Sequence, residues 1–388
     1  MKLQDTVRYF TQETHIMPCL SVSCGGVGHA VCVRGGVEEN AIFDLASLTK
    51  LFTGLTVMRL HEEGKLDLSA PITRYAPRFT HLHAVTVDAV LGFEVALNTC
   101  ERLDTQKTPG AAMALLCDIR PGEITGRAYS DMHAMVLRYV IEGAAKNSYM
   151  DEVRRGILTP LDMQDTFDIV PEERRGDCLS FDREHRIERG RYILREGIAP
   201  GTPHDPKARI LGPQCCGHAG LFSTAADMVK LCQGLLRHDV VSRDALIAMS
   251  RNRTGYRRSD GSYTQYLGAQ CYVKHPCQYD SEVPVYESDR AIALSGFTGH
   301  HLSVDVETGV FVLMLGNRVQ NRLTVLLSEE GRSREDYGLN ADGTGCITWP
   351  DGERIWSSVD YVHHKDKHLH QAVANELGLP PWGGALRR

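Results

Sequence analysis

No Cys-x-x-Cys pair occurs among the twelve cysteines, which are scattered as Cys19, Cys24, Cys32, Cys100, Cys117, Cys178, Cys215, Cys216, Cys232, Cys271, Cys277 and Cys346. A chain of 388 residues does not need covalent staples to fold. Reduced, mainly buried thiols of a cytoplasmic protein are therefore expected, not a disulfide framework. No run of about 18 apolar residues is present, so no membrane span is expected. The opening "MKLQDTVRYFTQETHIMPCL" has no apolar stretch before a small-residue cleavage site, so no secretory leader is expected either. Positive charge is not in excess: formal charge is −6 and the pI about 6.3. That excludes an obvious polyanion-binding surface and, with it, a nucleic-acid partner. Repeats, low-complexity tracts and Pro/Ser linkers are also missing, so nothing divides the chain cleanly.

What is present is an ordinary globular composition, 42% apolar and 24% charged, enough for a sizeable core. Residues 3–15 read as a short amphipathic helix. "CLSVSCGG" and "HAVCVRGG" read as two strands ending in Gly pairs. A helix is expected from Ser47 to about Glu63, closed by Gly64. From Leu66 to about Pro200 the pattern is mostly helices and loops, clearest in "GAAMALLCDI", "DMHAMVLRYVIEGAAK" and "YMDEVRRGIL". "AADMVKLCQGLL" and "DKHLHQAVANEL" complete the helices, and "QYLGAQCYV", "AIALSGF", "HHLSVDV" and "GVFVLMLGN" read as an antiparallel strand meander. The expected class is α/β (α+β), with an antiparallel sheet flanked by helices. The expected division is a sheet lobe of residues 1–65 and about 201–388, and an all-helical lobe of about 66–200.

One short stretch, "FDLASLTKLFTG", places Ser47 and Lys50 at positions i and i+3 of the expected helix. Such side chains share a face, with Cβ atoms about 5–6 Å apart. Ser47 lies at the helix start, where free N–H groups and the positive dipole end favour a developing anion. A serine hydroxyl is a weak nucleophile until a base takes its proton. A lysine desolvated by Leu48, Leu51 and Phe52 would have a lowered pKa and could serve as that base. The plainer account is a capping serine and a solvated lysine, since Ser-x-x-Lys occurs by chance in many proteins. A second signal is Tyr129-Ser130-Asp131, just before another apolar helix. Tyr129 offers a phenol that can share a proton with Lys50, and Asp131 offers a polar group that can hold the ammonium. Taken alone, Asp131 is adequately explained as a helix start.

Several further segments fall in a consistent order. Gly64–Pro77 fits G-x-L-x-L-x-x-P-x-x-x-Y-x-P, and "GILTPLDMQDT" spans Gly156–Thr166. "PHDPKARILGPQCCGHAGLFSTAADMVKL" follows from Pro203 to Leu231, and "LSGFTG" from Leu294. Together they resemble the serine β-lactamase and penicillin-binding-protein superfamily, in its class C-like branch with related esterases and D-peptidases. The resemblance runs from about Met17 to Val319 and implies that superfamily's fold. It also implies Ser47 as nucleophile, Lys50 and Tyr129 as base partners, and backbone N–H groups of Ser47 and Phe297 as the oxyanion hole. Asp131 stands where relatives carry Asn, and a carboxylate there favours the charged form of Lys50, which shifts the base role towards Tyr129. Leu294-Ser295-Gly296 stands where relatives carry Lys-Thr-Gly or His-Thr-Gly, so the residue that helps hold a substrate carboxylate is absent. "VTVDAVLGFEVAL" departs similarly.

The resulting expectation is a serine hydrolase acting through an acyl-enzyme on an ester, amide or lactam carbonyl of a small molecule or short peptide. A carboxylesterase or acyltransferase on the same scaffold stays open, as does a non-catalytic binder. Leu294, Ser295, Gly296, His218 and His300 are expected at the substrate, although His218, like His204-Asp205, also reads as a loop-fixing residue. No cofactor or metal is called for. His364 and His368 have i, i+4 spacing suited to an ion, but no acidic or cysteine ligand clusters with them and a solvated helix face accounts for them. The tail from Leu323 to Arg388 and the oligomeric state are left unassigned.

Overall fold

Residues 2–212, 214–277 and 281–380 are described by the computed structural model. Leu20–Gly26 and His29–Gly35 form a hairpin that turns at Val27-Gly28, where Gly28 takes φ +77° at no steric cost. The first strand is buried along its length, whereas the second alternates between exposed and half-buried, as an edge strand does. Leu20–Gly26 also pairs with Val310–Gly316, which continues through His300–Asp305 to Ala291–Gly296. These five strands form one antiparallel sheet in the order 29–35, 20–26, 310–316, 300–305, 291–296.

Alternation along Val310–Gly316 sends side chains to two different cores. Val312 and Met314 join Leu3, Val7, Phe10, Leu369 and Val373, so helices from both chain ends cover one face. Phe311, Leu313 and Leu315 join the larger core with Phe52, Leu55, Val136 and Leu137 on the other face. Full burial of a side chain such as Phe52 or Leu55 stabilises by about 1.5–3 kcal/mol. The helix Thr49–Glu62 has every residue from Thr49 to Leu60 buried, because it runs through the middle of that core. Beside it packs the helix Asp131–Ala145.

At Gly143 of that second helix a Cβ would stand 1.8 Å from the Tyr75 carbonyl oxygen. Only glycine lets helix and loop come this close. Gly143→Ala is expected to destabilise the fold by about 1–3 kcal/mol or more, read as a lowered denaturant midpoint.

The expected meander is present as Ala291–Gly296, His300–Asp305 and Val310–Gly316, but "QYLGAQCYV" is not a strand. An isolated bridge joins Leu267 to Tyr272 within it, and it is tied to its surroundings by the Tyr272–Ala293 bridge and by hydrogen bonds such as Ala269 N to Met249 O and Gln270 N to Leu91 O. The stretch expected to be helical up to about Pro200 holds a hairpin, Phe181–Glu188 with Arg191–Ile198. Its first strand runs parallel to Arg322–Leu327, giving a second sheet in the order 346–348, 354–357, 322–327, 181–188, 191–198. Charged residues interleave so densely in this hairpin that its apolar alternation is hidden. The helix at residues 366–377 begins earlier, at Tyr361, and widens through Lys365–Leu369 before His370–Glu376. All twelve cysteines are free. No helix of the described residues is long and apolar enough to cross a membrane.

Candidate active site

Chain reversal between the short strand Ile42–Asp44 and the helix Thr49–Glu62 places Ser47 at the helix entrance. Ala46 takes φ +46° there, a left-handed conformation that a residue with a Cβ holds only when its surroundings impose it. Those surroundings centre on Asp44. One carboxylate oxygen accepts from Ala46 N at 2.9 Å and the other from His204 N at 2.6 Å. Its carbonyl accepts from Thr298 Oγ1 at 3.0 Å and His300 Nε2 at 2.6 Å.

One turn on, Lys50 is fully buried and donates from Nζ to Ser47 Oγ at 2.8 Å. The same Nζ lies 2.7 Å from Asp131 Oδ1 and 3.4 Å from the His218 carbonyl. Burial alone would favour release of its proton, but the Asp131 carboxylate, and Tyr129 after it, outweigh that and hold the Lys50 pKa above its ordinary value. Burial likewise opposes charge on Asp131, yet Lys50, His218 and Lys207 hold its carboxyl well below the usual range. Resting Lys50 is therefore an ammonium donor to the serine oxygen.

Asp131 begins its helix and also accepts from Lys207 Nζ at 2.9 Å. Lys207 lies in turn 3.8 Å from Asp205, which accepts from Ala208 N and meets His218 Nε2 at 2.9 Å. Asp131, Asp205 and His218 bring three donor atoms within 4.8 Å of one another, the spacing of a metal site. Both carboxylates already carry ammonium partners, so the arrangement serves as an ion-pair network. Tyr129 stands beside it, stacked between Phe93 at 5.5 Å and Tyr272 at 5.3 Å, with Lys50 Nζ 4.9 Å from its ring centroid.

Ser47, Tyr129, Ser130, Asp131, Ser295, Gly296 and Phe297 line one cavity of about 610 Å³. Gly296 is required by close approach: a Cβ there would lie 2.9 Å from the His300 ring and 3.0 Å from the Leu45 carbonyl oxygen. Phe297 is held by His204, stacked at 5.5 Å, and by Arg318, which donates to its carbonyl at 2.7 Å.

Leu294, expected at the substrate, is fully buried in the main core and lines no part of this cavity. Its strand turns Ser295 to the cleft and Leu294 away from it. His300 is corrected likewise. Its Nε2 donates to Asp44 O while Nδ1 accepts from Gly316 N, a pairing only neutral imidazole can make. Burial accordingly pushes its pKa down to about 4. His218 is buried behind Asp205 and lies off the cavity wall. His364 is occupied by Tyr9 OH at 3.0 Å and the Asp342 carbonyl at 3.3 Å, and His368 packs on the Tyr9 ring at 4.2 Å. The expected solvated helix face is thus corrected: His364 is buried and both rings pack against Tyr9.

The sequence reading missed what replaces the absent cation. Ser295 Oγ donates to Glu282 Oε2 at 2.8 Å, and the same oxygen takes the fully buried Lys365 Nζ at 2.7 Å. Tyr361 and Val362 from the same C-terminal segment also line the cavity, and Tyr361 OH donates to Gly296 O at 3.3 Å. The tail thus completes the wall facing the nucleophile. Only a long-range contact reveals this, since nothing near Lys365 in sequence marks it as a partner of Glu282. Lys365→Met leaves Glu282 without its main counter-charge and is expected to destabilise the protein by about 3–5 kcal/mol in denaturant unfolding.

A family model described as Beta-lactamase matches residues 12–328. A Salmonella typhi protein with the provisional name D-alanyl-D-alanine carboxypeptidase is 26% identical over 312 residues, covering 72% of this chain and 70% of its own. Among solved structures, the octameric penicillin-binding protein homologue of Pyrococcus abyssi superposes with a TM-score of 0.61 at 19% identity, over 81% of this chain and 72% of that one. A class C beta lactamase gives 0.60 at 17% identity, over 81% of this chain and 92% of that one. A hydrolase with promiscuous acyltransferase activity gives 0.62 at 17% identity with the same coverages.

Proposed function

The chain belongs to the beta-lactamase family of serine hydrolases, and from that premise we propose that Ser47 is the nucleophile of an ester or amide hydrolase working through an acyl-enzyme. The observation that carries this reading is the 2.8 Å contact of Lys50 Nζ with Ser47 Oγ, closed by Asp131 at 2.7 Å. Ser47 Oγ attacks the carbonyl carbon, and its proton passes to Tyr129 in its phenolate form, the phenol having first released its own proton to solvent, because Lys50 is held as an ammonium by Asp131. The ammonium keeps Ser47 Oγ oriented and stabilises negative charge on the phenol oxygen. The new oxyanion lies between the backbone N–H groups of Ser47 and Phe297, each worth about 2.7–4 kcal/mol in such sites. Tyr129 returns the proton to the leaving group, and water activated by the same pair releases the acyl group.

Substrate choice follows from the facing strand. Ser295 presents a hydroxyl already committed to the Glu282 carboxylate, and Glu282 itself lines the cavity. Lys365 is already paired with Glu282, so a substrate carboxylate placed there finds neither a free cation nor a free hydroxyl donor. An ester or amide without a carboxylate at that point is the favoured acyl donor, a small molecule or short peptide. Steady-state kinetics with p-nitrophenyl butyrate and benzylpenicillin test this. The ester is expected to exceed the penicillin in kcat/KM by about 100-fold or more, the equivalent of roughly 3 kcal/mol. Equal or faster turnover of the penicillin would return the enzyme to the lactam-recognising group.

A further inference from the structure

We propose that the hairpin end of the cleft, formed by Arg186 and Arg195 with Arg102 beside them, is a subsite for a carboxylate or phosphate carried by the substrate away from its scissile bond. This rests on the hydrolase reading of Ser47 and names the class of acyl donor that the cleft selects.

Glu184 and Arg186 are two residues apart on one strand, and Arg195 lies directly opposite Glu184 on the other, so all three share one face. That face turns both guanidinium groups to the cavity that holds Ser47, while Glu184 sits buried behind them. The pairing of the arginines is incomplete. Arg186 reaches Glu188 at 3.2 Å and Glu184 at 3.7 Å, and Arg195 reaches Glu184 at 3.6 Å. Among the described residues none of these contacts has hydrogen-bond geometry. Glu184 is already engaged by His204 Nε2 at 3.1 Å and Thr324 Oγ1 at 2.6 Å. Arg186 Nε is buried without a hydrogen-bond partner. Burial first and the like charge of Arg195 second pull the Arg186 pKa below its ordinary value. Both loads are relieved by an anion. Arg102, beside them, is by contrast tied to Asp104 at 2.6 Å and 3.1 Å.

A guanidinium presents a planar fork of donors that matches carboxylate and phosphate oxygens in pairs. On the opposite wall Glu282 is paired with Lys365, so the incompletely paired positive charge lies at the hairpin end and fixes the direction in which an anionic substrate lies. Leu294 removes the usual cation from the facing strand, and the hairpin supplies cations elsewhere.

The test compares p-nitrophenyl butyrate with mono-p-nitrophenyl glutarate and with 4-acetoxybenzoate, which carry the charge on the acyl and leaving sides respectively. It uses the full chain and the Arg186→Met/Arg195→Met and Arg186→Lys/Arg195→Lys double variants. At least one anionic ester is expected to exceed the neutral one in kcat/KM by about 10-fold or more, a preference that resides in KM. The ratio should collapse in the methionine variant and recover in part with lysine. In parallel, glutarate and inorganic phosphate are titrated against the thermal midpoint of each protein, a readout that needs no turnover. An upward shift lost in the methionine variant supports the subsite, and the more effective anion identifies carboxylate or phosphate as its ligand. Ester ratios near one, with midpoint shifts equal in parent and variant, would overturn the subsite while leaving the hydrolase reading intact. Failure of Ser47 to take an acyl or phosphonyl group would strike the hydrolase reading itself.

Discussion

Replacing Ser47 with alanine is expected to lower kcat for p-nitrophenyl butyrate by about 10⁴- to 10⁶-fold, the range found when an acyl-transfer enzyme loses its nucleophile. The size follows from chemistry that the rest of the site cannot supply. Lys50 is an ammonium and cannot attack, Tyr129 stands in place as a proton carrier, and the oxyanion donors have no tetrahedral intermediate to hold. The substitution removes one hydrogen bond, because Lys50 keeps Asp131 at 2.7 Å and the His218 carbonyl at 3.4 Å. The expected stability change is therefore about 1 kcal/mol or less. An activity loss of this size with an unaltered unfolding midpoint separates chemistry from folding. A residual rate within about tenfold of the parent would assign the reaction to another group.

The second large effect is expected from Lys50→Met, which should lower kcat by about 10²- to 10⁴-fold. Methionine preserves the apolar stem but supplies no donor to Ser47 Oγ and no positive charge beside Tyr129. Linkage fixes the pH behaviour of this pair. The Lys50 pKa is raised in the folded protein, so its contribution to stability is fully present below the unfolded value, about 10.4, and is lost as pH rises through the folded value. Asp131 is depressed, so its contribution is present above the unfolded value, about 3.9, and is lost as pH falls below it towards the folded value. The stability gap between parent and variant should be flat from about pH 5 to 9 and should shrink below about pH 4. Denaturant unfolding across that range measures it. A gap that changes steeply near neutrality would mean that Lys50 titrates there and acts as the free base.

How much of this was legible in the sequence varies with the range of the interaction. The Ser47–Lys50 contact is local, three residues apart on a helix, and its spacing appears directly in "SLTK". Tyr129 and Asp131 were legible because a capping pattern and an ordered series of motifs place them beside that helix. The central meander could be read because its strands alternate and follow one another. The hairpin Phe181–Ile198 could not, since arginines and glutamates occupy positions that an apolar pattern would mark, and two of them, Arg186 and Arg195, line a cavity. "QYLGAQCYV" carries strand-forming residues but meets the sheet at the Tyr272–Ala293 bridge, while other backbone groups bond to Met249 and Leu91. Leu294 reads as a lost cleft residue, whereas it packs in the core. The charge that matters comes from Glu282 and from Lys365, 83 residues further on. Such a pair is set by tertiary packing, and no local period reveals it.

The most direct test of the central claim is intact-mass analysis after exposure to a serine-reactive fluorophosphonate, followed by peptide mapping. The account predicts a single phosphonyl adduct on Ser47, absent from Ser47→Ala and formed at least about 100-fold more slowly in Lys50→Met. No adduct on the folded parent protein, or an adduct on any residue other than Ser47, would contradict it.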